Sequence, residues 1–428
     1  MGDKRYGLAG ITLATPTEVV SNAALTVSEG HIASLERPST GYVLDLPHHV
    51  AFPGLLNAHD HLNGTWWPRV GPGRPYANVY QWLVDLDESR VRCDRLRNSV
   101  EDIYELGMYK NLISGVTTVA DHFWRIDGPE FYTRHPIYVL YEYGRTWTPR
   151  RIRDWGDDIR SEYNRAVRSG QPYIVHLAEG VDPETAAEMD VLVRANALGR
   201  NTMVIHGISL RSQDMKAIAS VGASVCWCPG SNLYLYGRTA NIAALLRAGV
   251  NLTLGTDSSL TGGFNPLEEL RIARRAFREQ AGEDPSSRWL VELVTLRAAY
   301  ALMLDDRRGR IAVGYEANLL ILPDSHLDPY TTLIKAEAAD IALLLCAGVP
   351  VYGDAIYRSL FEHCGSEFTS VFVAGKEKLI AGDPLGLLDR IGQAVGRAVR
   401  FPFLPLAASH TEAVSPPDVL GPLNNGSP

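Results

Sequence analysis

Short apolar runs closed by one polar residue recur through the middle of the chain. Tyr173-Ile-Val-His176, Met203-Val-Ile-His206 and Val250-Asn-Leu-Thr-Leu-Gly-Thr-Asp257 read as buried strands. Between them lie stretches with helical ends: Asp182 before Pro183, Gly199 after an apolar stripe, and Asn241 to Ala248 closed by Gly249. Strand and helix in alternation predict parallel strands. The reading for residues 51–304 is therefore an α/β fold, a (β/α)8 TIM-type barrel whose strands end on one shared face. Strand ends fall near His61, His122, Tyr143, His176, His206, Cys228 and Asp257, one fewer than eight. The mostly charged segment Gly144 to Gln171 shows a helical stretch at Asp157 to Val167 but no full strand, so the fourth strand is short and irregular or missing.

The two ends of the chain follow a different pattern. Leu8 to Leu13, Ala23 to Val27, His31 to Leu35 and Val43 to Leu46 are short β-like runs between Gly, Pro and Ser turns. Ile311 to Leu322, Ile341 to Cys346 and Val371 to Val373 match them, the last followed by a hairpin turn at Gly375-Lys376. Neither set buries a core alone, so residues 1–50 and 305–400 are expected to join as one small β-sandwich domain. Residues 401–428, rich in Pro, Ser and Asn, read as an arm or tail.

Composition narrows the function class. The 428 residues are 46% hydrophobic, enough for a large core, and the net charge of −8 argues against nucleic acid as the partner. No apolar stretch approaches a membrane span and no secretory signal opens the chain, so a cytoplasmic enzyme with a small-molecule substrate is expected. Five cysteines, an odd number without metal-ribbon spacing, argue against a disulfide framework, and Cys226 and Cys228 are read as core residues ending a strand.

Against that background, five strand-terminal residues form one pattern: His59 and His61 in Asn57-Ala-His-Asp-His-Leu62, then His176, His206 and Asp257. Side chains alternate along a strand, so His59 and His61 share a face and Asp60 points away. Imidazoles and a carboxylate gathered on one face suit zinc or ferrous iron with a position left for water.

The motifs Phe52-Pro-Gly-Leu-Leu-Asn-Ala-His-Asp-His61, His176-Leu-Ala-Glu179, Ile205-His-Gly207, Cys228-Pro-Gly-Ser-Asn232 and Leu254-Gly-Thr-Asp257 resemble the amidohydrolase superfamily, in its mononuclear deaminase and chlorohydrolase branch. Gly309-Arg-Ile-Ala-Val-Gly314 and Ala317-Asn-Leu-Leu-Ile321 extend the similarity to the segment re-entering the sandwich. The resemblance implies a distorted barrel, one divalent ion (Zn2+, with Fe2+ as alternative) held by His59, His61, His176 and Asp257, and catalytic roles for Glu179, His206 and Asp257. It also leaves room for a homo-oligomer. Binuclear members bridge two ions with a carboxylated lysine on the fourth strand, and no lysine lies between Lys110 and Lys216, which favours one ion.

The chemistry expected is hydrolytic deamination of an aminated heterocycle. The ion brings its water to a pKa near ~7, Asp257 accepts the proton, His206 bonds the water or the developing oxyanion, and Glu179 protonates a ring nitrogen and then the amine. Glu179 must lie in the loop past its strand, because three residues beyond His176 a continuing strand would turn it away. Trp67 and Arg69 in the loop after His61, with Tyr76, Tyr80 and Trp82, are candidates for the substrate pocket, as are His122, Ser231, Asn232 and Tyr234. Ser258 and Leu260-Thr-Gly-Gly-Phe264 depart from the deaminase pattern, so the substrate stays open. Amide or cyclic-amide hydrolysis, a non-hydrolytic metal-dependent lyase, and a catalytically silent binding protein are the alternatives.

Overall fold

The computed structural model describes residues 5–71, 74–122, 126, 128–150 and 158–410. Five strands open the chain: β1 (Tyr6–Ala14), β2 (Val19–Ser28), β3 (His31–Ser34), β4 (Tyr42–Asp45) and β5 (His49–Pro53). Eight short strands follow, with helices between all of them except β8 and β9: β6 (Leu55–Asp60), β7 (Val116–Asp121), β8 (Tyr138–Leu140), β9 (Gly144–Thr146), β10 (Tyr173–Leu177), β11 (Thr202–His206), β12 (Ser224–Trp227) and β13 (Asn251–Leu254). The chain then returns to its start through β14 (Leu319–Pro323), β15 (Leu343–Cys346), β16 (Val349–Asp354), β17 (Phe368–Val373), β18 (Lys376–Ala381) and β19 (Leu406–Ala407).

The central strands pair in parallel, as β6-β7-β8 and as β9-β10-β11-β12-β13. No ladder joins β8 to β9, and β13 meets β6 through the single bridge Asp60–Asp257, where the Asp257 N–H reaches the His59 carbonyl at 3.1 Å. The eight strands thus follow barrel order with an incomplete ladder.

The fourth strand, missing from the sequence count, is the three residues Gly144–Thr146. Its propensity is poor because packing chose the residue. A Cβ on Gly144 would stand 2.6 Å from the Glu162 carbonyl oxygen and 2.8 Å from the Ala166 Cβ, so only glycine admits the helix Ile159–Arg168 so close. The third strand stops at Leu140, short of the expected Tyr143.

Both chain ends contribute to one sheet, ordered β19-β17-β18-β16-β15-β14-β5-β1-β2-β3 with β4 on β1. Its pairing is continuous, where two packed sheets were expected. Its middle strands are apolar on both faces, and their alternation shows why. Leu319 and Ile321 of β14 join the sheet's own core with Leu8, Ile11, Leu25 and Leu343, whereas Leu320 and Leu322 join the barrel's cluster. The expected strand Ile311 to Leu322 begins only at Leu319, after a turn at Gly314 (φ +86°). The hairpin expected at Gly375 is present, with Val373 opposite Lys376.

Residues 401–410 form a packed arm. Phe401 and Phe403 are buried, and the Phe401 ring lies edge-on to Trp66 at 5.2 Å. Residues 411–428 lie outside the described residues. The four cysteines Cys226, Cys228, Cys346 and Cys364 are buried thiols. Among the described residues, no helix is long and apolar enough to cross a membrane.

Candidate metal centre

Local backbone puts each ligand-type side chain on the carboxyl face of the barrel. On β6 alternation turns Asp60 away from the centre, towards the helix Val100–Leu112. There its carboxylate accepts from Lys110 Nζ at 2.9 Å and Asn111 Nδ2 at 2.7 Å, both partners fully buried. His59 and His61 face the other way, as alternation requires, with ring centroids 4.7 Å apart.

The other donors sit at bends in the chain. His206 (φ +70°) and Asp257 (φ +55°) occupy the left-handed region that side chains other than glycine disfavour. Strain of this kind persists where surrounding structure imposes it, and it clusters at functional sites. Gly255 serves the same crowding: a Cβ there would be 2.7 Å from the His59 Cβ and 2.8 Å from the Cys226 Sγ. Ala178 (φ +56°) turns the chain after β10, so Glu179 lies in the loop as expected.

Four donors converge: one ligand atom from each of His59, His61, His176 and Asp257 lies within 4.8 Å of the others. Asp257 Oδ1 is 3.3 Å from His59 Nε2 and 3.1 Å from His61 Nε2. The tautomers fit a cation. His61 Nδ1 lies 2.7 Å from the His122 carbonyl and His176 Nδ1 lies 3.0 Å from the Trp147 carbonyl, so both Nδ1 atoms carry hydrogen and each Nε2 keeps its lone pair for the centre. Asp257 Oδ2 accepts from Ser231 Oγ at 2.6 Å and Thr261 Oγ1 at 3.0 Å, leaving Oδ1 for the cluster. Three neutral imidazoles and a carboxylate form a donor set for a divalent transition metal.

Burial and charge shift the protonation of these groups. Burial drives His59 down to about 4, and burial with the neighbouring imidazoles holds His176 well below its usual range. Burial alone would raise Asp257, but the adjoining His59 and His61 imidazoles outweigh it and hold the carboxyl well below the carboxylate range. In His61 burial works downwards, and the adjoining Asp257 carboxylate with the charges of Asp121 and Asp60 reverses it.

A second group of three, His176, Glu179 and His206, adjoins the first. Glu179 Oε1 accepts from Tyr236 Oη at 2.8 Å and lies 3.5 Å from His206 Nε2. Burial raises the Glu179 carboxyl above its usual range, against the opposing pull of His206. His206 Nδ1 meets Asn232 Oδ1 at 2.8 Å, and Asn232 Nδ2 reaches Thr239 Oγ1 at 3.1 Å. The Trp227 indole N–H also ends on Thr239 Oγ1, at 2.6 Å. His206 Nε2 is buried with no hydrogen-bond partner.

A cavity opens beside the cluster, lined by His61, His176, Glu179 and Asp257 and walled by Trp82, Leu83, Leu86 and Trp147. Of the expected pocket residues, Trp82 is in this wall. Trp67, Arg69, His122 and Asn232 are not among its lining residues. Trp67 packs on Phe264 at 5.3 Å, and Arg69 lies over the Tyr234 and Phe264 rings at 5.3 and 5.6 Å. His122 is buried behind the ligands, 4.6 Å from the His176 ring, and Asn232 holds His206 rather than facing the cavity. Arg95 and Trp147, which also line the cavity, carried no strand-end or motif signal.

Residues 169–353, which carry His176, Glu179, His206 and Asp257, match the family model described as the amidohydrolase family. A 5-methylthioadenosine/S-adenosylhomocysteine deaminase of Halobacterium salinarum is 24% identical over 402 residues, covering 80% of this chain and 91% of its own. An adenosine deaminase from Xanthomonas campestris, solved with bound zinc, superposes with a TM-score of 0.73 at 20% identity, over 91% of this chain and 97% of its own. A guanine deaminase from C. acetobutylicum with guanine in its active site gives 0.64 at 15% identity, over 81% and 99%. The motifs in the sequence, the barrel order of the strands and these likenesses agree, and over residues 169–353 the chain matches the amidohydrolase family.

Proposed function

We propose that this protein is a metal-dependent hydrolase that deaminates an aminated heterocycle, with a purine nucleoside as the first class to test and zinc as the ion. The observation that carries the reading is the meeting of His59, His61, His176 and Asp257 beside a protonatable Glu179 at the mouth of an apolar cavity. Its similarity to deaminases, one of them solved with zinc, supports both choices.

When bound, the divalent cation supplies Lewis acidity and brings water to a pKa near ~7. The chain's own groups do the rest. His206 carries its hydrogen on Nδ1, held by Asn232, so the unpartnered Nε2 is free to take a proton from the attacking water. That role falls to His206 more readily than to Asp257, whose Oδ2 is already bonded by two hydroxyls. Glu179, raised by burial above its usual range, delivers its proton to a ring nitrogen. The proton taken by His206 passes to the amino group, which leaves as ammonia, and the hydroxyl proton of the intermediate returns to Glu179. Trp82, Trp147, Leu83 and Leu86 exclude water and offer faces for a planar ring.

The test is zinc-reconstituted protein, assayed for metal stoichiometry and for ammonia release from aminopurine nucleosides, aminopurines and aminopyrimidines. One ion per chain with ammonia from at least one class is the expected result, abolished by a chelator and restored by zinc. Absence of a bound ion, or turnover of cyclic amides alone, would overturn it.

A further inference from the structure

The cavity beside the metal cluster holds a cation that no carboxylate among the described residues neutralises. Arg95, at the end of the helix Arg90–Arg95, lines it together with Val79, Trp82, Leu83 and Leu86. Other arginines of the protein, such as Arg211, Arg308 and Arg397, lie against carboxylates. Arg95 makes no ion pair among the described residues. Its Nη1 donates to the Asn63 carbonyl, and its Nε is buried with no partner. The two carboxylates that line the same cavity are committed elsewhere, Asp257 to the metal cluster and Glu179 to Tyr236 and His206.

A guanidinium has five N–H donors in a flat fork. Burying donors without acceptors is costly, and a protein keeps such an arrangement where something else supplies the acceptors. Burial and the neighbouring Arg92 already pull this group down to about 10. An anion with two oxygens on one atom answers the fork through paired N–H···O bonds. The surrounding wall is apolar, so the same ligand must present a hydrophobic body.

We propose that Arg95 is a specificity-determining residue of the cavity, recognising an oxyanion, carboxylate or phosphate, carried by the substrate at a distance from its reacting ring. The inference rests on the proposed deaminase reading for the ring but not for the anion. It places the substrate among acidic derivatives of a heterocycle rather than neutral ones.

Binding is measured by calorimetry on zinc-reconstituted protein with three probes sharing one ring: adenosine, its 5′-carboxylate and its 5′-monophosphate. Ammonia release from each is followed in parallel. The wild type is expected to bind at least one anionic probe tenfold or more tightly than adenosine, and the tighter of the two tells carboxylate from phosphate. Arg95→Ala is expected to lose at least tenfold more affinity for that probe than for adenosine. Arg95→Lys is expected to restore part of the difference, since it keeps the charge and loses the fork. Thermal melting of each variant checks the fold. Equal affinity for all three probes, no binding of any, or an equal loss for neutral and anionic probes in Arg95→Ala would overturn the proposal. Selective anion binding without ammonia release would instead overturn the deaminase reading and leave Arg95 supported.

Discussion

Replacing Asn232 by leucine tests whether His206 works through its orientation. Asn232→Leu keeps the side-chain size but removes the oxygen that accepts from His206 Nδ1 at 2.8 Å and the amide that donates to Thr239 at 3.1 Å. Both groups are fully buried, so no water replaces the lost acceptor. A buried donor left unpaired costs about 1–3 kcal/mol, and if that falls on the positioned imidazole in the transition state, kcat drops roughly 5- to 150-fold. Thr239→Val is the control, because it cuts the same chain one bond further away and leaves the His206–Asn232 contact in place. The assay is kcat and KM for ammonia release, with zinc content and melting temperature measured on each variant. Asn232→Leu should lose kcat with KM and zinc little changed, and Thr239→Val should lose stability but little kcat. A kcat within twofold of wild type in Asn232→Leu, or an equal loss in both variants, would refute the reasoning.

Two further outcomes concern protonation. Glu179→Gln should retain zinc and lose about 10²- to 10⁴-fold in kcat, the usual contribution of a positioned acid. Because burial raises the Glu179 carboxyl, its acid form persists to higher pH, so the wild-type rate should fall as pH rises through that raised value. A variant profile with the same alkaline limb assigns the limb to another group. Glu188 is pushed by burial from 4.5 to about 8, and its oxygens accept from Ala178 N–H at 2.7 Å and Thr148 Oγ1 at 3.4 Å. A raised folded value means the folded state holds the proton more tightly, so this stabilisation is complete below 4.5 and is lost as pH rises through about 8. Glu188→Gln, whose amide can serve both partners, should flatten the fall of melting temperature over that window. Superimposable slopes for the two proteins would count against it.

The legible parts of the molecule were those in which one residue type and one period determine geometry. His59 and His61 share a face because strands alternate, whatever surrounds them, and Asp60 does lie on the opposite side, against Lys110. Glu179 had to leave the strand for the same reason, and the chain turns at Ala178. The helix caps Asp182 and Asn241 followed from local hydrogen bonding and are present, each accepting a backbone N–H. Strand β9 was illegible because Gly144 answers to the Ile159–Arg168 helix rather than to strand propensity.

What sequence alone determined is therefore the set of strand-end donors, the alternation that aims them and the family pattern they match. Only the tertiary structure decided which groups surround those donors. It set Ser231 and Thr261 on one oxygen of Asp257, turned Asn232 onto His206, moved Trp67 and Arg69 away from the cavity lining, and brought Arg95 and Trp147 into it. The physical reason is range. Alternation and capping act within a few residues, whereas a cavity wall is assembled from loops far apart in the chain, and no local period records which of them will meet.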